Sequence, residues 1–141
     1  MKTISTEIAS LKKNYALVES LLLKANEEFC CEDERFRNVL IAVSELVMNA
    51  IVHGNKGDES KKVRVTIEYD REIMRVKILD EGNGLNRNFR SKPKLPEDIF
   101  KESGRGMFIV KALIEQVEVN DTDHGTEFIL TIKKKKQKKP S

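Results

Sequence analysis

Asn38-Val-Leu-Ile-Ala-Val-Ser-Glu45-Leu-Val-Met-Asn49-Ala-Ile-Val-His53-Gly54-Asn55 is the stretch on which the reading of this chain turns. At about 100° per residue it forms one long helix. Asn38, Glu45 and Asn49 fall on one narrow face, while Val39, Leu40, Val43, Leu46, Val47, Ala50 and Ile51 cover the opposite side. The flanking positions Ile41, Met48 and Val52 are apolar too, so the spacing predicts a helix inside a domain. Glu45 and Asn49, at i and i+4, then turn together toward something polar. A buried carboxylate without a partner costs several kcal/mol or changes its protonation, so the helix implies a metal, a ligand or a protein donor opposite Glu45. An Arg or a backbone amide is the ordinary solution.

Length and composition bound what this helix belongs to. A chain of 141 residues makes one domain and buries about two-thirds of its unfolded surface. It contains no uninterrupted apolar run of about eighteen residues, and no apolar leader core follows Met1-Lys2-Thr3, so the expectation is a soluble, cytoplasmic protein with no membrane association. Cys30 and Cys31 are adjacent, with α-carbons about 3.8 Å apart, too close for an ordinary disulfide. Without nearby histidines they make no zinc site either. The net charge of +3 misleads, because six lysines crowd Lys133–Lys139 and the body without them is mildly acidic. No basic stripe with interleaved aromatics crosses that body, which argues against direct nucleic-acid binding.

Upstream of the central helix, apolar residues at Leu11, Tyr15, Val18, Leu21, Leu22 and Ala25 predict an amphipathic helix over 11–29, with Ser10 as its N-cap. Residues 3–8 alternate as an edge strand. Downstream, Gly54-Asn55-Lys56-Gly57-Asp58 ends the helix with loop chemistry. Val63, Val65, Ile67 and Tyr69, then Met74, Val76 and Ile78, alternate with polar residues about a turn at Asp70–Glu72 and predict a hairpin. One further step in the same phase puts Asp80 on the core side. Glu81-Gly82-Asn83-Gly84-Leu85 follows, and 86–103 is a long connection with Pro93 and Pro96, the kind that serves as a lid. Ser103-Gly104-Arg105-Gly106 opens a helix over 107–115, where unpaired N–H groups and the dipole favour an anion. Residues 117–119 and 126–132 read as the last strands, joined through Asp121–Gly125.

Taken singly these signals have plain readings. A Gly-x-Gly is usually a turn, Asp80 caps a backbone amide, His53 sits by the last helical carbonyls, and His124 belongs to a surface loop. Their order is more specific. Glu45-x-x-x-Asn49 on a helix, Asp80-x-Gly82-x-Gly84 at a strand end, a lid, Gly104-x-Gly106 at a helix start and Gly125-Thr126 entering a strand form one ordered constellation. It resembles the superfamily that includes DNA gyrase, the MutL proteins and the histidine kinases, the Bergerat fold, and more closely the stand-alone anti-sigma factor serine/threonine-protein kinases. No P-loop signature is present.

The resemblance implies an α+β two-layer sandwich with a mixed, mostly antiparallel sheet and helices on one face, residues 1–132 forming the ATPase domain and 133–141 a Lys-rich tail. It implies ATP and Mg²⁺ as cofactors. Asp80 would accept from the adenine amine, Gly82 and Gly84 would let backbone pass close to the base, and Thr126 would stand beside Asp80. Asn49 would offer its amide oxygen to Mg²⁺. Ser103, Gly104, Arg105 and Gly106 would hold the phosphates under the lid, with His53, Leu85 and Met107 completing the nucleotide-contacting set. Glu45 would be the general base for a serine or threonine hydroxyl. The implied function is a homodimeric protein-serine kinase that phosphorylates an antagonist of the anti-anti-sigma type and sequesters a sigma factor. A nucleotide-dependent binding module without phosphotransfer and a bare ATPase are the alternatives, and Glu45 speaks against the first, since binding alone needs no base.

Overall fold

The computed structural model describes residues 1–82 and 105–134, with Arg105 described at its backbone only. Strand β1 (Lys2–Ala9) leads through a 3₁₀ turn (Lys12–Asn14) into α1 (Tyr15–Phe29), followed by α2 (Asp33–Asn49) and a π-helical turn (Ala50–Gly54). Then come β2 (Lys62–Tyr69), β3 (Ile73–Asp80), α3 (Arg105–Leu113), β4 (Gln116–Thr122) and β5 (Gly125–Lys133). The strands lie in the order β1-β2-β3-β5-β4, antiparallel at every described pairing, with β1 the edge strand that its alternation predicts.

Period-two patterning sorts the sheet into two faces. Val63, Val65, Ile67 and Tyr69 of β2, Met74, Val76 and Ile78 of β3, and Phe128, Leu130 and Ile132 of β5 are buried under the helices. The opposite face carries polar and charged side chains, including the ion pairs Glu7–Arg64 and Glu68–Lys77. At the hairpin turn the Asp70 carboxylate accepts from the Glu72 and Ile73 amides at 2.7 and 2.9 Å. Lys133, the first residue of the predicted tail, still pairs with Ile73 in β5, and the Lys134 amide donates to the Glu72 carbonyl at 3.0 Å. Residues 135–141 lie outside the described residues.

Helix α1 buries Val18, Leu22, Ala25 and Phe29, a stripe at intervals of three and four. Cys30 ends it in the left-handed conformation, with its amide donating to the Asn26 carbonyl at 2.8 Å, and Asn26 Oδ1 accepts from the Cys31 amide at 3.0 Å. Cys30 is exposed, whereas burial pushes the Cys31 thiol up. Ser10 does not cap α1 as expected. The 3₁₀ turn separates it from the helix, and its hydroxyl donates instead to the Lys61 carbonyl at 2.7 Å.

Helix α2 begins at Asp33, one turn earlier than the apolar spacing predicts. Asp33 and Glu34 complement the dipole in its first turn, and Phe36 extends the buried stripe of Val39, Val43, Leu46 and Val47 backward. Tyr15 ties α1 to α2 by donating to the Leu40 carbonyl at 3.1 Å; burial, with Glu19 nearby, pushes its hydroxyl up to about 12. Asp33–Gly54 spans 22 residues, long and apolar enough to cross a membrane by length and composition alone. It packs here as the core helix of the sheet.

The central helix is not enclosed on all sides. Ile41 and Val52 are exposed at 46% and 43%, and Glu45 and Asn49 are half-buried on the same outward side. Only the stripe toward the sheet is sealed, because α3 covers part of the outer side and not its whole length.

Candidate active site

Two clusters of polar groups stand at successive points along α2. The first is set by α3. Its second residue, Gly106, passes so close to α2 that a β-carbon there would lie 2.6 Å from Glu45 Oε2 and 3.8 Å from Asn49 Nδ2. Asn49 Nδ2 donates to Met107 Sδ at 3.6 Å, a weak bond that leaves the amide oxygen directed elsewhere. Glu45, Asn49, Gly106 and Met107 thus meet at the α3 N-terminus, where the first-turn N–H groups lack helical partners. The arrangement suits an anion beside the helix, a cation at the Asn49 oxygen and a proton acceptor at Glu45.

The second cluster surrounds Asp80, which is 4% exposed on the core side of β3, where the alternation places it. Its Oδ1 accepts from the Thr126 amide at 3.0 Å. Gly54 lies directly against the carboxylate, where any β-carbon would overlap Oδ2. Gly125 adopts φ +152° and crosses the Asp80 carbonyl so closely that a β-carbon there would overlap it. A buried carboxylate that two glycines let backbone approach closely has the acceptor chemistry to take a group bearing an amine.

The π turn connects the clusters. The Asn55 amide donates to the Ala50 carbonyl and that of Gly57 to the Ile51 carbonyl, both at 2.8 Å, where the periodicity predicts plain α-helix to Asn55. Widened turns of this kind interrupt helices mostly at functional sites. Gly54 lies five residues beyond Asn49, about 7 Å along the axis.

Of the predicted site residues, Glu45, Asn49, Gly106 and Met107 come together at one cluster and Asp80 and Thr126 at the other. Gly82, buried with φ +46°, stands at the edge of the Asp80 cluster. His53 is exposed in the π turn. Gly84, Leu85, Ser103, Gly104 and the lid over 86–103 lie outside the described residues. Asn38, which shares the helical stripe of Glu45, lines a separate cavity of about 300 Å³ with Arg35, Leu113 and Gln116. Among the described residues, no three His, Cys, Asp or Glu side chains gather as a metal cage.

Asn55 is the residue that sequence reasoning missed. It is fully buried, and its side-chain oxygen accepts from the Glu81 and Gly82 amides at 2.9 and 3.2 Å. Local chemistry reads it as a turn residue beside Gly54, and nothing within residues 53–58 separates a buried Asn from a turn Asn.

Residues 8–132 match the model of the histidine kinase-like ATPase domain. An anti-sigma F factor of Clostridium perfringens is 32% identical over 105 residues, covering 69% of this chain and 71% of the relative. One from Clostridium beijerinckii is 27% identical over 139 residues, covering 94% of this chain and 93% of the relative. The crystal structure of the RsbU and RsbW domains of a Mycobacterium tuberculosis protein superposes with a TM-score of 0.67 at 17% identity, over 94% of this chain. This chain spans 32% of the length of that structure, and the likeness is one of fold. With the two-layer antiparallel architecture and the family match over nearly its whole length, this chain belongs to the histidine kinase-like ATPase family, as a relative of the anti-sigma F factors.

Proposed function

We propose that this chain is a cytoplasmic, Mg²⁺- and ATP-dependent protein-serine kinase that phosphorylates an antagonist protein and, when not so engaged, sequesters a sigma factor. The single observation that carries the reading is the pairing of Glu45 and Asn49 against the α3 N-terminus, with Gly54, five residues beyond Asn49, lying against the buried Asp80. ATP would supply the transferable phosphoryl group, and Mg²⁺ the charge that steadies it. Asp80, already accepting from the Thr126 amide, offers its carboxylate to the exocyclic amine of adenine, a charge-assisted contact of roughly 1.5–3 kcal/mol. Gly82 and Gly84 let the loop pass the base, and His53 and Leu85 flank the nucleotide. Asn49 would hold the cation through its amide oxygen, and Mg²⁺ would supply positive charge beside the phosphates. Ser103, Gly104, Arg105 and Gly106 would hold the phosphates beside Met107, and 86–103, outside the described residues, would serve as the lid.

Glu45 takes the proton from the incoming serine hydroxyl. Its half-buried position supports that role, since a base serving a second protein's hydroxyl has to be reachable from outside. The catalytic domain runs through β5 to Lys133, one residue into the predicted tail, and the active form is a homodimer.

The test is transfer from γ-labelled ATP with Mg²⁺ to an antagonist protein from the same genome, beside the Glu45→Ala variant. Label on a serine of the antagonist, lost in the variant, is the expected result. ATP bound with neither labelled protein nor released phosphate would replace the kinase with a nucleotide-gated binding module. Phosphate released without labelled protein would make it an ATPase.

A further inference from the structure

A fully buried side-chain amide is expensive unless every polar atom is paired. Asn55 meets that condition. Its Nδ2 donates to Ser10 Oγ at 2.9 Å and to the Lys62 carbonyl at 3.0 Å. Its Oδ1 accepts from the successive amides of Glu81 and Gly82 at 2.9 and 3.2 Å. Two donors and two acceptor positions are the whole capacity of an asparagine amide, so none remains for a ligand.

The partners belong to three different parts of the fold. Ser10 directly follows β1 and is 3% exposed, Lys62 opens β2, and Glu81 and Gly82 leave β3 directly after Asp80. The backbone amide of Asn55 also closes the π turn onto Ala50. That closure sets where Gly54 lies against the Asp80 carboxylate. Successive N–H groups converging on one oxygen form a concavity of the type that elsewhere binds an anion; here Asn55 fills it. A third bond holds the same loop from the other side, because Lys61 Nζ donates to the Gly82 carbonyl at 3.0 Å. Gly82, at φ +46°, is thereby held through both its amide and its carbonyl.

We infer that Asn55 is the positioning residue of the base pocket, clamping the Glu81–Gly82 turn and the π turn so that Asp80 meets the adenine amine, without reaching the nucleotide itself. This rests on the assignment of Asp80 to adenine. Lys61 acts in the same clamp with a smaller share. Ser10 serves it by holding the Asn55 amide in one orientation, through its own bond to the Lys61 carbonyl at 2.7 Å.

The experiment compares binding of Mg-ATP with binding of purine riboside triphosphate, which is ATP without the exocyclic amine, to the intact chain and to Asn55→Ala and Lys61→Met. The natural chain is expected to prefer ATP by about tenfold or more, the scale of one charge-assisted hydrogen bond. Asn55→Ala should lose most of that preference, with ATP affinity falling about tenfold and analogue affinity falling much less. Lys61→Met should lower the preference about threefold. A general structural role would reduce both affinities alike and leave their ratio unchanged, and that result in folded variants overturns the inference. Where Asn55→Ala yields no folded protein by thermal unfolding, Lys61→Met decides, and an unaltered ratio there overturns it too. A natural chain with no preference for ATP over the analogue would overturn the Asp80 assignment first and this inference with it, a pattern distinct from a preference that survives in the variants.

Discussion

The two ends of the candidate site are built on opposite principles. Around Asp80, everything is closed: the carboxylate is 4% exposed, Gly54 and Gly125 pass it at backbone distance, and Asn55 uses every hydrogen-bonding atom it has. Around Glu45 the structure is open. Both Glu45 and Asn49 are half-buried, and the bond tying Asn49 to α3 goes to a thioether sulfur. The contrast teaches how the work is divided. A group that recognises a fixed ligand gains from being locked beforehand, since rigid placement avoids ordering costs at the moment of binding. One that exchanges a proton with a second protein has to stay reachable.

Substitutions on either side test this division. The largest effect belongs to the open end. Glu45→Ala should lower phosphotransfer about 10²–10⁴-fold, the range of a lost general base, with ATP affinity changed little. Loss of ATP binding in this variant would mean that the open end is structural after all. Next comes the closed end, where Gly125→Ala puts a methyl into the Asp80 carbonyl at a φ of +152°. It should destabilise the fold by about 2–4 kcal/mol in urea unfolding. A variant of natural stability would show that β5 can shift away from Asp80.

Asp80→Asn keeps the size and the acceptor for Thr126, so the fold should stay intact while ATP binding weakens about 10–100-fold. Unaltered affinity would remove the adenine assignment.

The smallest effect sharpens the comparison along a single hairpin, whose two aspartates end in opposite settings. Asp70 is held below the ordinary carboxylate range by the amides of Glu72 and then Ile73. Because its folded value is depressed, its contribution is fully present above the unfolded value of about 3.9 and is lost as pH falls through the folded value. Urea midpoints of the natural chain and Asp70→Ala should therefore differ slightly at pH 7 and converge on acidification below pH ~4. A difference that grows on acidification would contradict the assignment of the shift to those amides.

Much of this was legible beforehand because its signal is local. Period-two runs placed the β2–β3 hairpin and put Asp80 inward, and period 3.6 marked α1, α2 and α3. Glu45 and Asn49 sit one helical turn apart whatever surrounds them, and spacing alone puts them on one side. The errors came where distant residues compete. Ser10 has the chemistry of an N-cap, but Lys61 and Asn55, some fifty positions away, take its hydroxyl. Asn55 has the chemistry of a turn, yet the strand ends around it supply four hydrogen-bond partners. Ile41 and Val52 read as core and are exposed, because a helix on one side of a sheet is sealed only where another element reaches it.

Sequence by itself determined the elements, their inward faces and the order of the polar motifs, since each follows from backbone periodicity and side-chain type within a few residues. Tertiary structure alone decided that α3 would bring Gly106 against Glu45 and Asn49. It also decided that a π turn would carry Gly54 under Asp80, and that Asn55 would lock the turn behind it. Those outcomes depend on which strand ends and helix ends become neighbours, and a buried hydrogen bond between residues far apart in the chain leaves no periodic trace in either segment.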